Sequence, residues 1–141
     1  MKFIPYLSFE GNAEEALNFY VDAFSGNIQT MMRYSDMPAD EGTPPLPDAY
    51  KNKVLHAALS VGDAVIYLSD TFPGMTVTTG NSVDINIAPT SEEELRRVFD
   101  KLAVDGTVNM PVDYTFWGSI FGSLTDKFGI GWSLDLEVKK D

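Results

Sequence analysis

Between Ala13 and Phe24 the apolar residues Leu17, Tyr20, Val21 and Phe24 recur at the spacing i, i+3, i+4, i+7, and Leu95, Val98, Phe99 and Leu102 repeat it between Ser91 and Leu102. That spacing gathers each set on one stripe, so it predicts two amphipathic helices. The two segments align at an offset of 78, with Glu14/Glu92, Glu15/Glu93, Leu17/Leu95 and Asp22/Asp100 identical. Asn12 and Thr90 or Ser91 stand at the N-cap positions, and the paired glutamates suit the positive end of a helix dipole. Gly26 and Gly106 stand beyond the last turns, where a left-handed residue stops a helix.

The pattern switches to a period of two before each helix. In Phe3–Phe9, Leu7 and Phe9 alternate with Tyr6 and Ser8. In Val83–Ala88, Ile85 and Ile87 alternate with Asp84 and Asn86. A strand sends such sets to opposite faces. The apolar face must meet the helix stripe, and the more polar face looks away. Three further strands follow each helix: Asn27–Tyr34, Lys53–Val61 and Ala64–Ser69, then Thr107–Val112, Phe116–Thr125 and Ile130–Val138. Gly62 and Asp63 mark one hairpin turn, and "TDKFG" a longer one.

Each half therefore reads βαβββ. The chain is expected to be α+β, one domain over residues 1–141 built from two modules at about 1–70 and 82–138. Ser35–Asn52 is a Pro-rich acidic loop, which reads either as a lid or as a solvated connection. Thr71–Ser82 joins the modules.

Composition narrows the function. The chain has 141 residues, 44% of them hydrophobic, enough for a real core. Its formal net charge of −11, from 21 acidic and 10 basic side chains, repels phosphate. That opposes nucleic acid and anionic membranes as partners. No apolar run approaches the roughly 20 residues that cross a bilayer. With no cysteine, disulfides and thiolate chemistry are excluded. The N-terminus lacks the pattern of a signal peptide, and a cytoplasmic protein is expected. No G-x-S-x-G elbow, phosphate loop or glycine fingerprint of a methyltransferase-type βαβ unit is present.

Three phrases carry a resemblance: "FEGNAEEALNFY" at Phe9–Tyr20, "VLHAALSVGDAVIYLSD" at Val54–Asp70 and "TFWGSIFGSLTDKFGIGWSLDL" at Thr115–Leu136. With the tandem βαβββ order, they resemble the PhnB-like branch of the vicinal oxygen chelate superfamily. That branch is also labelled a 3-demethylubiquinone methyltransferase-like domain. The resemblance implies the glyoxalase/bleomycin resistance/dioxygenase fold, in which two modules pair mixed sheets into a curved cleft with helices outside, and it implies a homodimer. In metal-dependent members one ligand comes from the first strand and one from the last strand of each module. Carried onto this chain, those positions fall at Ile4 (or Pro5), Ser69, Ser82 and Asp135. Only Asp135 is an ordinary ligand, and a divalent site needs several imidazole or carboxylate donors. Shifting the register would substitute Asp84 and bring in His56, giving His56, Asp84 and Asp135 as weak metal candidates.

Alternation sets the remaining candidates. His56, the only histidine, shares a face with Val54 and Ala58. It reads as a hydrogen-bonded sheet residue and a ligand contact rather than a general base. Asp135 falls on the open face with Ser133 and Gly131, as a ligand anchor or a strand-end contact. Trp117 and Phe121 share a parity that Gly118 and Gly122 oppose. The aromatics then line the open face, and the glycines admit a helix. Tyr6 and Tyr67 add polar handles. The expected function is metal-free and cofactor-free binding of a small, partly apolar molecule, such as sequestration of a toxic or antibiotic compound. Tyr6, His56, Tyr67, Asp84, Asn86, Trp117, Phe121 and Asp135 are the contacts. The competing reading is a lyase, isomerase or dioxygenase with an atypical divalent metal at His56 and Asp135, which leaves catalysis open.

Overall fold

The computed structural model describes residues 1–38 and 45–138. Residues 39–44 of the Ser35–Asn52 loop lie outside that set, and the lid reading of the loop falls partly on them. The elements run β1 (Tyr6–Phe9), α1 (Ala13–Phe24), β2 (Asn27–Arg33), β3 (Val54–Val61), β4 (Ala64–Asp70), β5 (Ile85–Ile87), α2 (Glu92–Ala103), β6 (Thr107–Tyr114), β7 (Ser119–Thr125) and β8 (Gly131–Glu137). The chain divides into two compact units, Met1–Thr78 and Thr79–Asp141. Each is βαβββ, with strand orders β1-β4-β3-β2 and β5-β8-β7-β6. The β1·β4 and β5·β8 pairs are parallel and the others antiparallel, so both sheets are mixed.

The stripes explain the packing. In the first unit Leu17 and Tyr20 are buried with Leu7, Phe9, Ala57, Leu59 and Leu68, and α1 lies on β3 and β4. In the second, Leu95, Val98, Phe99 and Leu102 are buried with Ile120, Leu124, Trp132 and Leu134. There α2 lies on β6, β7 and β8. Gly122 faces Phe99 of the helix so closely that an added Cβ would stand 2.9 Å from the ring. This is the close approach expected of a glycine on that face.

The helix ends differ from the sequence reading in two ways. Ser91 does cap α2, its Oγ accepting from Glu94 N at 3.1 Å. Glu94 reaches back to Thr90 in return. Asn12 makes no side-chain cap bond. The start of α1 is capped by Asp70, whose Oδ1 accepts from Ala13 N at 2.9 Å. At the C-termini the left-handed residues are Ser25 (φ 54) and Asp105 (φ 58), one position before the glycines. Gly26 and Gly106 serve packing instead. A Cβ on Gly26 would stand 2.8 Å from Ser60 O, and one on Gly106 would meet Thr125 O.

All eight strands differ from the predicted limits by at least one residue, and β1, β5 and β7 start two or three residues late. β1 begins at Tyr6, because Phe3 and Ile4 are exposed ahead of Pro5. β5 shrinks to Ile85–Ile87. β7 begins at Ser119, because Gly118 N bonds Thr115 O and Gly118 takes φ 89, making Thr115–Gly118 a turn. Trp117 therefore sits in a turn rather than on a strand.

Candidate functional site

Each sheet buries one face under its helix and turns the other away. In the first unit Tyr6, His56 and Tyr67 come together on the face away from α1. Tyr6 Oη lies 3.2 Å from His56 Nδ1. The rings of His56 and Tyr67 meet edge-on at 4.9 Å, and those of Tyr6 and Tyr67 at 5.8 Å. Tyr6 remains 51% exposed. The imidazole is therefore engaged at Nδ1, as expected of a hydrogen-bonded sheet histidine. The cluster offers ring edges and polar tips to a partner.

In the second unit the equivalent face carries Asn86, Ser133, Ser123, Phe121 and Asp135. Asn86 Nδ2 donates to Ser133 Oγ at 2.8 Å. Asp135 is the cross-strand neighbour of Phe121, and Phe121 in turn of Asp113 on β6. Trp117 reaches this row from its turn, its ring 6.4 Å from Phe121 at 65°. Asp135 Oδ1 is buried and accepts no hydrogen bond among the described residues. Asp84 lies at the other end of β8. Its carboxylate fills the space a side chain on Gly131 would occupy. Four residues of strand, about 13 Å, separate that point from Asp135.

The strand register decides whether a divalent ion fits. One ligand from the first strand and one from the last can share an ion only as near neighbours. The register pairs Tyr6 with Tyr67 and Ser8 with Ser69 in one unit, and Asn86 with Ser133 in the other. Ile4 precedes β1 and is not opposite Ser69. The residue opposite Asp135 would be Ala88, past the end of β5 and well away from Ser82. The register also corrects the repeat offset. Gly26 sits over Ser60 as Gly106 sits over Thr125. This makes Tyr67 equivalent to Ser133, Ser69 to Asp135 and Tyr6 to Asn86. The offset of the first strands is thus 80 (86 − 6), and Ile4 matches Asp84 rather than Ser82. Phenols, an amide and a hydroxyl at the facing positions do not make a divalent metal site. Among the described residues no three of His, Asp and Glu are grouped to hold a metal ion.

Two buried carboxylates were not singled out from the sequence, and both are fully engaged. Asp70 is 2% exposed. Its Oδ1 accepts from Gly11 N and Ala13 N, and its Oδ2 from Val54 N, all within 2.9 Å. Tyr34 donates its hydroxyl to Asp70 O at 2.7 Å, and burial pushes the Tyr34 phenol up to about 12. Asp126 organises the β7–β8 turn. Its Oδ1 accepts from Phe128 N and Ile130 N, and its Oδ2 from the indole N–H of the buried Trp132. The "LSD" and "TDKFG" phrases held the signal, an aspartate at a strand end beside a turn.

Comparison with known proteins agrees with this architecture. The family model for 3-demethylubiquinone-9 3-methyltransferase matches residues 1–135. Protein YjdN of Escherichia coli K12 is 30% identical, over 96% of this chain and 95% of its own. The crystal structure of protein PA1353 from Pseudomonas aeruginosa superposes with a TM-score of 0.84 at 32% identity, covering 99% of both chains. A putative 3-demethylubiquinone-9 3-methyltransferase, PhnB protein, from Bacillus cereus does so at 0.76 and 32%, over 96% of this chain and 99% of that one. A glyoxylase/bleomycin resistance protein/dioxygenase domain from Frankia sp. EAN1pec shares the fold alone, at a TM-score of 0.70 and 11% identity over 100% of this chain and 94% of that one. The chain belongs to the 3-demethylubiquinone-9 3-methyltransferase family, PhnB-like, on the glyoxalase/bleomycin resistance/dioxygenase fold.

Proposed function

We propose that this protein binds a small, partly apolar molecule without a metal or cofactor. The observation that carries the reading is the register. Where first and last strands face each other, the chain places Tyr6 with Tyr67 and Asn86 with Ser133. Each open face by itself suits stacking and hydrogen bonding to an organic molecule, with His56 adding ring area in the first unit and Phe121 and Trp117 in the second. Holding a toxic or antibiotic compound away from its target needs only such binding, and we take this as the role. We place the protein in the cytoplasm as a homodimer. The apolar residues Val108, Met110 and Tyr114 exposed on edge strand β6 give a second copy something to cover.

Two measurements on untagged protein test the reading. Metal content by mass spectrometry, after incubation with Ni²⁺, Zn²⁺, Mn²⁺ and Fe²⁺, should stay well below one ion per chain. A thermal-shift screen of small molecules should yield a ligand that raises the melting temperature by mass action, about 2.7 kcal/mol at a hundredfold excess over Kd. Tyr6→Ala and Tyr67→Ala should each weaken that ligand. Near one metal per chain, lost in His56→Ala or Asp135→Ala, would replace this reading with a metal-dependent lyase, isomerase or dioxygenase.

A further inference from the structure

We infer that the ligand carries a cationic nitrogen, which Asp135 receives on the open face of the second sheet. The inference rests on the binding function proposed above and adds the ligand's charge.

An ionised carboxylate is costly to bury unless its lone pairs are met. This chain meets them elsewhere. Asp70 takes three backbone N–H donors, and Asp126 takes two with an indole N–H. Asp135 is half-buried rather than fully buried, and its Oδ1, which is shielded from solvent, has no partner among the described residues. Arg33 pairs with Glu14, Lys51 with Asp48 and Arg96 with Glu92, all away from Asp135.

The surroundings of Asp135 suit a cation. Phe121 is its cross-strand neighbour, and Asp113 flanks Phe121 on the other side. Adjacent strands lie about 4.8 Å apart, so the two aspartates bracket the ring at about 10 Å between Cα atoms. The Trp117 and Phe121 rings, 6.4 Å apart and inclined at 65°, present π faces that attract an ammonium group. A divalent metal would find two carboxylates about 10 Å apart between Cα atoms with aromatic carbon between them, too few donors and too far apart to hold it. An anion would meet two carboxylates in a chain of net charge −11.

The test uses three probes on one carbon frame: 2-phenylethylammonium, 2-phenylethanol and phenylacetate. Binding is read by NMR chemical-shift titration of the full chain. The ammonium should bind about tenfold tighter than the alcohol, as a charge-assisted bond exceeds a neutral one, and phenylacetate should not bind. Asp135→Asn should bring ammonium and alcohol to within about twofold, and Asp113→Asn should narrow the gap less. The melting temperature of each variant confirms folding, and Asp113→Asn carries the comparison if Asp135→Asn does not fold.

Equal binding of ammonium and alcohol, or a preference that survives in Asp135→Asn, overturns the cationic assignment while the binding function stands. So does uptake of Zn²⁺ that Asp135→Asn abolishes. If none of the three probes binds, the cationic assignment falls, and the thermal-shift screen decides the binding function separately.

Discussion

Asp70 and Asp135 both lie on the last strand of a module, one repeat position apart, and the fold treats them in opposite ways. Asp70 faces α1. It caps the helix, holds Val54 and is closed over by Tyr34. Asp135 matches Ser69 in the repeat, so it falls on the other face, beside Phe121. A single step along a strand reverses the side chain, and here it separates a carboxylate that builds the fold from one the fold leaves unmet. A buried acid is therefore not by itself a sign of function. The useful sign is a buried acid without donors in a chain that supplies donors to its others.

The largest expected effect breaks the first half of that comparison. Asp70→Ala leaves the N–H groups of Gly11, Ala13 and Val54 buried and unpaired, and uncaps α1. Each such loss costs about 1–3 kcal/mol, so a total on the order of 4 kcal/mol is expected in urea denaturation. A loss below about 1 kcal/mol would show that Asp70 is dispensable and dissolve the contrast.

The same node should respond to alkali. Burial raises the Tyr34 phenol from 10.0 to about 12. The folded chain keeps this proton where the unfolded chain loses it. The contribution is therefore complete below about pH 10 and lost between about pH 10 and 12, at most a few kcal/mol. Tyr34→Phe should flatten that decline while costing about 1 kcal/mol at neutral pH through its lost bond to Asp70 O. An equal decline in wild type and Tyr34→Phe would place the alkaline sensitivity elsewhere.

Much of the fold was legible in the chain. The helical stripes gave α1 to the residue and α2 to within one, because i, i+3, i+4 spacing gathers apolar side chains on a single helical face. The open-face residues Tyr6, His56 and Tyr67 could be placed by alternation alone. Stagger could not. A parallel pair is joined through a long connection, so no turn fixes its register: the resemblance put Ile4 and Ser69 among the positions around one ion, and the sheet pairs Ser69 with Ser8. The caps failed for a related reason. Ser91 caps locally and was visible, but Asp70 reaches α1 from 57 residues away, which no local motif records. Asp135 was found because its strand alternates cleanly. That its Oδ1 lacks a donor is a three-dimensional fact.

The smallest expected effect sharpens the second half of the comparison, and its sign matters more than its size. If Asp135 is held for a ligand, the apo protein carries a half-buried carboxylate with one oxygen unmet, and Asp135→Asn should raise stability by about 1 kcal/mol. In a chain of this size that is a melting-point gain of roughly 3 °C. Adding 2-phenylethylammonium should stabilise wild type more than Asp135→Asn, closing or reversing the gap between them. A structural aspartate behaves otherwise: Asp126→Asn, which disturbs the donors from Phe128, Ile130 and Trp132, should lose stability with or without the probe. Loss of stability in Asp135→Asn would place Asp135 with Asp70 and Asp126 among the residues that hold the fold.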